Sequence, residues 1–231
     1  MNQKIVVIIP AYNEEGSIGH VVKDIPRNLV ADQDILVCNN NSNDRTKEVA
    51  LAAGATVLDE SRPGYGWACL KGMEYASQME VAPDIVVFLD GDYSDYPEEM
   101  VDVLEPILED DIDFVIGSRA LGQKEKGSMT VPQRFGNWLS TRLMRLFYRV
   151  RYTDLGPFRA IKYDKLMALG MRDKTYGWTI EMQIKAAKHK LTYAEVPVNY
   201  KKRIGVSKVS GTVKGTILAG YKIILSIFKY L

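Results

Sequence analysis

Short segments that are almost entirely apolar recur through the first half of the chain, separated by stretches with helical spacing. The segments are 4–9, 34–38, 55–58, 84–89 and 112–116. A strand that is apolar at successive positions is buried on both faces, which is typical of a parallel sheet covered by helices. The alternation predicts an α/β fold with a mostly parallel, Rossmann-like sheet, whose ligands bind at the carboxyl ends of the strands.

The second half of the chain follows a different pattern. Helical spacing occupies 134–150 and 176–190, a strand is predicted over 191–198, a basic loop over 200–211 and a last helix over 212–231. No Pro- or Ser-rich spacer lies near residue 117, so we expect a functional boundary there rather than a linker between domains. The second half should therefore add a helical region beside the sheet.

The net charge of +1 conceals a strong asymmetry between the two halves. Residues 1–115 contain 7 Lys and Arg against 23 Asp and Glu, whereas residues 116–231 contain 23 against 6. This asymmetry indicates a different partner for each half. Cys38 and Cys69 stand among apolar residues, which favours a reducing, cytoplasmic compartment. No apolar run is long enough to predict a membrane-spanning helix.

Two aspartates, Asp90 and Asp92, directly follow the fourth apolar segment. In extended backbone, residues i and i+2 point to the same side, so both carboxylates can face one ion. Carboxylate oxygens suit Mg²⁺ or Mn²⁺, ions that keep several waters and bridge substrate phosphates. An acidic turn is the alternative interpretation, because Asp-Gly is common in turns.

Polar residues also follow the first two strands, at the same predicted edge of the sheet. Tyr12 offers an aromatic face on which a nucleobase can stack, and Glu14 can accept its N–H groups. The segment 39–44 is rich in Asn and can bind a base or ribose, although Asn and Ser are also ordinary turn residues. Gly64 permits close approach of the backbone to a ligand, or simply a turn.

Four of these segments stand in the order and spacing of a known enzyme family. They are VVIIPAYNEE at 6–15, VCNNNSNDRT at 37–46, Asp90-Gly91-Asp92 and Gly117-Ser118-Arg119. In them the chain resembles the family-2 glycosyltransferases of the GT-A fold, and among these the dolichyl-phosphate mannose synthase and polyprenyl-phosphate glycosyltransferase branch. The resemblance continues through 154–160, 178–182, 196–198 and 203–208, so it covers essentially the whole chain.

The resemblance implies a role for each set of site residues. Residues expected to hold the nucleotide sugar are Pro10, Tyr12, Glu14, Asn39, Gly64 and Asp90. Asp90 and Asp92 would bind the Mg²⁺ or Mn²⁺ cofactor, and Asp92, Arg119 and Glu181 are the expected catalytic residues. Residues expected to bind the acceptor or its phosphate are Arg119, Arg134, Arg203 and Lys208.

The need for a general base depends on the acceptor. A phosphate acceptor is already ionised at neutral pH, whereas a hydroxyl acceptor would need a carboxylate within hydrogen-bond reach. Glu181 and Asp154 are the candidates for that base. Structural roles are the favoured alternative, in which Asp154 orients Arg159 and Glu181 pairs with an Arg or Lys.

The sequence departs from the family pattern at two positions. Where many relatives have Asp-Asp-Gly-Ser, this chain has Asn39-Asn40-Asn41-Ser42, so the choice between uracil and guanine stays open. The mannose synthases have a Gln that helps to hold the metal two positions after the second Asp, and this chain has Ser94 there. A third protein ligand for the metal is therefore not assured.

Together these features predict a metal-dependent, inverting transfer of a sugar from a nucleotide-diphosphate donor to a polyprenyl phosphate. Residues 1–211 form the expected catalytic domain, with a donor half at 1–117 and an acceptor half at 118–211. The helix at 212–231 is amphipathic and fits either peripheral contact with the cytoplasmic membrane face or packing on the core. A homo-oligomer is compatible with the sequence, and nucleic acid is not an expected partner. The alternatives are a soluble or saccharide hydroxyl acceptor and a non-catalytic nucleotide-sugar-binding module.

Overall fold

A seven-stranded sheet forms the centre of the molecule in the computed structural model, which describes residues 3–27, 32–205 and 213–231. In chain order the strands are β1 (Lys4–Ala11), β2 (Asp32–Asn39), β3 (Thr56–Asp59), β4 (Ile85–Phe88), β5 (Phe114–Ser118), β6 (Arg159–Lys162) and β7 (Tyr193–Pro197). Their spatial order is β3-β2-β1-β4-β6-β5-β7. Only β6 runs antiparallel to its neighbours, β4 and β5, so the expected mostly parallel sheet is confirmed.

Helices cover both faces of this sheet. They are α1 (Ile18–Asp24), α2 (Thr46–Ala52), α3 (Tyr65–Ser77), α4 (Met100–Glu109), α5 (Val131–Tyr148), α6 (Tyr163–Leu169), α7 (Trp178–Lys188) and α8 (Val213–Lys229). Alternate side chains of β1 enter two separate cores: Val6 and Ile8 pack on the side of α3 and α7, and Ile5, Val7 and Ile9 on the side of α1 and α4. The double burial explains why the strand is apolar at successive positions.

The sequence did not predict β6 or α6. The motif at 154–160 was recognised by resemblance, but the strand that begins at Arg159 is short and starts with a charged residue. Arg159 is fully buried, and its guanidinium donates to the carbonyl oxygens of Leu155, Gly156 and Thr179. Burial lowers the pKa of Arg159 to about 10. A charged Arg159 can therefore begin a buried strand, because carbonyl groups brought close by the tertiary structure accept its hydrogen bonds.

The carboxyl ends of the central strands lie together and carry the segments of functional interest. Asn40, just after β2, donates its backbone N–H to the Ala11 carbonyl at the end of β1 (2.8 Å). Asp90 follows β4 after one residue, and Arg119 follows β5 directly. None of the helices in the described ranges has the length and hydropathy needed to cross a bilayer.

Candidate active site

A cleft of about 540 Å³ opens at the carboxyl ends of β1, β2, β4 and β5. One end lies between the loops after β1, β2 and β3, and is lined by Pro10, Tyr12, Glu14, Asn40, Asn41 and Gly64. The middle contains Asp90, Asp92, Arg119, Tyr200 and Arg203. The other end is bounded by residues of α5 and α8, among them Pro132, Gly136, Gly220 and Ile223. The cleft thus joins the acidic half of the chain to the basic half.

Asp90 is half-buried, whereas Asp92 is buried. The Tyr65 hydroxyl at the start of α3 donates to Asp90 Oδ1 (3.0 Å). Burial and the negative charge of Asp92 raise the pKa of Asp90 to about 6, although the Tyr65 hydrogen bond and the arginines nearby oppose the shift. Two acidic groups held this closely favour any cation that can sit between them.

The Asp92 carboxylate already contacts the positive charge of Arg203 in the structure. Its Oδ1 accepts hydrogen bonds from the Ser94 backbone N–H (2.9 Å) and hydroxyl (2.5 Å). Its Oδ2 lies 2.8 Å from Arg203 Nη1. The position of this guanidinium shows that the Asp92 carboxylate is directed toward a site for positive charge.

The residues present fit a divalent ion with two protein ligands. Asp90 and Asp92 are the carboxylates that line the middle of the cleft, and the described ranges contain no group of three or more His, Cys, Asp or Glu side chains that could hold one ion. The Ser94 hydroxyl, at the position where the mannose synthases have Gln, donates to Asp92 Oδ1. Mg²⁺ and Mn²⁺ are commonly held by one or two carboxylates, with substrate phosphates and waters completing the shell.

Arg119 is fixed in the cleft by Asp154. Its Nε and Nη2 each lie 2.8 Å from a different oxygen of the Asp154 carboxylate, and its backbone N–H donates to the same group. Burial alone would lower the pKa of Arg119, but the charge of Asp154 outweighs it and holds the pKa well above its usual value. Asp154 therefore orients Arg119, and the expectation that it orients Arg159 is wrong.

The segment that follows β7 is joined to the Asp92 segment by backbone hydrogen bonds. Lys201 donates to the Ser94 carbonyl (2.9 Å) and Ile204 to the Asp92 carbonyl (3.0 Å). Lys201 Nζ also lies 3.2 Å from the centre of the Tyr93 ring, a cation–π contact. These contacts place Arg203 beside the paired aspartates although 111 positions separate Arg203 from Asp92.

The donor end of the cleft contains most of the residues expected there. Tyr12 is 41% exposed, so one face of its ring is available to a ligand. The Glu14 carboxylate accepts from the Ser17 hydroxyl (2.8 Å). Gly64 has a φ of +145°, and a Cβ there would lie 2.2 Å from the Lys174 carbonyl oxygen. Chain packing therefore requires glycine at position 64, whatever it contributes to a ligand.

Asn39 lies just behind the residues that line the cleft. Its Nδ2 donates to Asp59 Oδ1 at the end of β3 (2.9 Å). Its Oδ1 is buried and has no hydrogen-bond partner among the residues that the structure describes. A buried acceptor without a partner costs free energy unless a ligand supplies a donor.

Glu181 does not belong to the cleft. Its side chain is fully buried in α7, where it pairs with Lys185 Nζ (2.7 Å) and accepts from the Tyr230 hydroxyl (2.7 Å). The backbone N–H groups of Arg172 and Asp173 also donate to it. The expected catalytic role of Glu181 is therefore corrected to the structural alternative: this carboxylate joins α7 to the preceding loop and to the C-terminus.

Arg134 and Lys208 are the two other residues expected to bind the acceptor or its phosphate. Arg134 is exposed near the start of α5 and does not line the cleft. Lys208 lies outside the described residues.

Replacing Glu181 by Gln is expected to lower the free energy of unfolding by about 2–4 kcal/mol, because it breaks a buried, multiply hydrogen-bonded ion pair. Burial alone would raise the pKa of Glu181, but Lys185, Tyr230 and the backbone donors hold it below its usual value. The stabilisation from Glu181 is therefore complete above the pKa that this group has in the unfolded chain. It is lost as pH falls through the lower pKa that Glu181 has in the folded protein.

Urea unfolding of the wild type and of Glu181→Gln, at neutral pH and at about pH 4, measures the difference between their free energies of unfolding. This difference should be smaller at the lower pH, because the carboxylate becomes protonated. Nucleotide affinity of the folded variant should match that of the wild type. Unchanged stability together with lost turnover would restore a catalytic role for Glu181.

Sequence reasoning missed three residues at the site. Tyr65 and Tyr200 line the cleft, and neither has a motif that marks it. Asp95 follows Asp92 by three positions and is buried, and within the described part of the chain neither of its carboxylate oxygens has a hydrogen-bond partner. Burial and the charge of Asp90 hold the pKa of Asp95 well above its usual value. The sequence signal for Asp95 was its place in the acidic segment 90–99, which also contains the exposed Glu98.

Comparison with known proteins supports one family. The model of glycosyl transferase family 2 matches residues 6–170. An uncharacterized glycosyltransferase of Mycobacterium tuberculosis is 33% identical over 220 residues, covering 93% of this chain and 94% of that protein. The dolichyl-phosphate hexose transferase of Haloferax volcanii is 32% identical over 218 residues (93% and 90%). An undecaprenyl-phosphate mannosyltransferase of Micrococcus luteus is 28% identical over 223 residues (92% and 90%).

Solved structures show the same fold. Glucosyl-3-phosphoglycerate synthase from Mycobacterium tuberculosis, in complex with Mn²⁺, UDP and glucosyl-3-phosphoglycerate, superposes with a TM-score of 0.77 at 22% identity. The match covers 99% of this chain and 80% of that one. The mixed sheet with flanking helices is therefore the GT-A fold of glycosyltransferases. With the family match over most of the chain, this identifies the protein as a glycosyltransferase that belongs to glycosyl transferase family 2.

Proposed function

We propose that this enzyme transfers a sugar, with inversion at the anomeric carbon, from a nucleotide-diphosphate donor to a polyprenyl phosphate in the presence of Mg²⁺ or Mn²⁺. The observation that carries the proposal is the juxtaposition of Asp90 and Asp92 with Arg119 and Arg203 in the middle of one cleft. Paired carboxylates suit a metal–diphosphate, and the two arginines suit a second anion beside it.

The donor end of the cleft matches a nucleoside. Tyr12 presents a ring face and Glu14 a carboxylate, and the unpartnered Asn39 Oδ1 could accept an N–H from a base that reaches it. The structural neighbour was solved in complex with UDP and Mn²⁺, which supports a nucleotide-diphosphate donor. Residues 1–117 would accordingly form the donor half, 118–211 the acceptor half, and 212–231 the accessory helix.

Glu181 and Asp154 are both engaged by other side chains, which favours a phosphate acceptor over a hydroxyl acceptor. Glu181 is buried in an ion pair away from the cleft, and Asp154 is bidentate to Arg119. Neither is placed as the general base that a hydroxyl acceptor would need. A phosphate monoester has a second pKa of about 6, so it attacks without one. The relatives from Haloferax volcanii and Micrococcus luteus, whose names state lipid-phosphate acceptors, agree with this choice.

In the proposed reaction an acceptor phosphate oxygen forms a bond to the anomeric carbon as the bond to the donor diphosphate breaks. Arg119, held rigid by Asp154, would contact phosphate oxygens with the outer edge of its guanidinium. Arg203, which pairs with Asp92, would supply a second positive charge for the phosphates. A bound divalent ion would neutralise charge on the departing diphosphate. The low accessibility of Asp92 limits water at the reacting centre.

Transfer assays with purified protein test the proposal. A panel of UDP- and GDP-sugars is combined with Mn²⁺ or EDTA and with three acceptors: a polyprenyl phosphate in detergent, 3-phosphoglycerate and a disaccharide. We expect metal-dependent glycosylation of the lipid phosphate alone. Transfer only to 3-phosphoglycerate or the disaccharide would replace the lipid acceptor, and donor binding without turnover under every condition would favour a binding module.

Replacing Arg203 by Ala is expected to raise the KM for the acceptor about tenfold, because a charge-assisted hydrogen bond contributes about 1.5–3 kcal/mol. The Kd of the nucleotide, measured by isothermal titration, should change much less. Arg203→Lys is the matched control, since it retains the charge without the planar fork. Equal losses in acceptor KM and nucleotide Kd would contradict the assignment of Arg203 to the acceptor.

A further inference from the structure

Helix α5 exposes large apolar side chains on the side away from the cleft. Val131 is 76% exposed, Leu146 69%, Phe135 59% and Trp138 52%. At about 100° per residue, these four positions fall within about 80° of one another around the helix. The Phe135 and Trp138 rings contact each other, with centroids 5.8 Å apart. We call these four residues the outer apolar face of α5.

Arginines share this side of the helix. Arg142 lies at the centre of the outer apolar face and places its guanidinium 6.0 Å from the centre of the Trp138 ring. Arg145 is exposed at the edge of the same face. The helix contains no Asp or Glu in its 18 residues. Leu146 and both arginines therefore share one side of α5.

The opposite side of α5 belongs to the cleft. Pro132, Gln133, Gly136 and Asn137 line its acceptor end, and Met144 is buried in the core. A surface that contacts the outer face would therefore lie one helix diameter, about 10 Å, from the acceptor end of the cleft.

Helix α8 extends the same chemistry. It packs on α5, and the Phe147 and Phe228 rings meet at 5.4 Å. Its residues Tyr221 and Leu225 are exposed, and its sequence also lacks Asp and Glu. In both helices the exposed apolar side chains are accompanied by Arg or Lys and by no acidic residue. This combination matches an anionic lipid surface, because apolar side chains enter the headgroup boundary while the cations contact lipid phosphates.

We propose that the outer apolar face of α5 is the principal surface by which this enzyme docks on an anionic lipid bilayer. The proposal rests on the proposed function, because docking there brings the acceptor end of the cleft to the membrane that holds a polyprenyl phosphate. It differs from the expectation drawn from sequence, which considered membrane contact for the last helix and left packing on the core as the alternative.

Sedimentation with lipid vesicles tests the docking surface. The full-length protein is mixed with vesicles of phosphatidylcholine alone or of phosphatidylcholine with phosphatidylglycerol. Two double variants alter the face: Phe135→Ser with Trp138→Ser, and Arg142→Gln with Arg145→Gln. The matched control is Val81→Ser with Val101→Ser, which removes exposed apolar side chains outside α5 and α8. A third variant, Tyr221→Ser with Leu225→Ser, tests α8.

We expect the wild-type protein to bind the anionic vesicles. Both α5 variants should lose roughly tenfold or more in their partition onto these vesicles, because each basic residue near an anionic surface contributes about fivefold to binding. The control should bind like the wild type. Nucleotide-induced thermal shifts should be unchanged in all variants, which shows that they fold. Wild-type-like vesicle binding by the α5 variants, or loss confined to the α8 variant, would overturn the proposal.

Two further measurements separate this inference from its alternatives. Sedimentation velocity without lipid tests whether the face joins two copies; a wild-type dimer that the Phe135→Ser, Trp138→Ser variant abolishes would overturn the bilayer as occupant. Transfer to polyprenyl phosphate in detergent should be unchanged in the α5 variants. If the wild type transfers nothing to that acceptor yet binds vesicles through α5, the proposed function fails and the docking surface stands.

Discussion

Replacing Asp92 by Asn is expected to lower the rate of sugar transfer about a thousandfold, because charge stabilisation by a bound metal ion contributes several kcal/mol and each 1.36 kcal/mol is tenfold in rate. The substitution keeps the size of the side chain and an oxygen that can accept from Ser94. It removes the negative charge directed at the cation site.

The measurement is the rate of transfer at saturating donor, together with the Kd of Mn²⁺ by isothermal titration in the presence of a nucleoside diphosphate. Asp111→Asn is the control, because Asp111 is a highly exposed carboxylate that pairs with Lys162. This pair lies near the amino end of β5, away from the cleft. Wild-type turnover by Asp92→Asn, still dependent on Mn²⁺, would remove Asp92 from the metal site and with it the main support for the proposed mechanism.

Replacing Arg119 by Lys is expected to lower turnover about a hundredfold, since removing one preorganised donor from a developing negative charge costs about 2.7–4 kcal/mol. Lysine retains the positive charge but cannot form the two parallel bonds that Arg119 makes with Asp154. Its ammonium group would therefore lose the fixed direction that the structure gives to the guanidinium.

Turnover and nucleotide Kd are compared for Arg119→Lys and for Asp154→Asn, which removes the group that orients Arg119. We expect both variants to lose turnover, with a smaller change in nucleotide Kd. Asp154→Asn should also unfold more easily, because it leaves a buried guanidinium without its counter-ion. If Arg119→Lys keeps full turnover, Arg119 serves only to neutralise Asp154 and does not contact the reacting phosphates.

The donor half of the fold could be predicted from the sequence because its signals are local. Double burial makes β1, β2 and β4 apolar at successive positions, and this pattern is visible in the chain itself. The same alternation predicts that Tyr12, Asn40 and Asp90 come to one edge of the sheet, as the structure shows. Strand β6 could not be predicted this way, because its first residue is an arginine whose burial depends on carbonyls of distant segments.

The chemical class of the site was also readable in the chain, through two aspartates spaced to face one side and arginines concentrated in the other half. The residue types and their order along the chain determined the α/β sheet, the acidic edge and the family. Only the tertiary structure decided which charges meet: Asp154 with Arg119, Asp92 with Arg203, and Glu181 with Lys185 away from the cleft. The physical reason is that an ion pair depends on distances of a few ångströms between segments far apart in sequence, and burial decides which of these pairs exclude water.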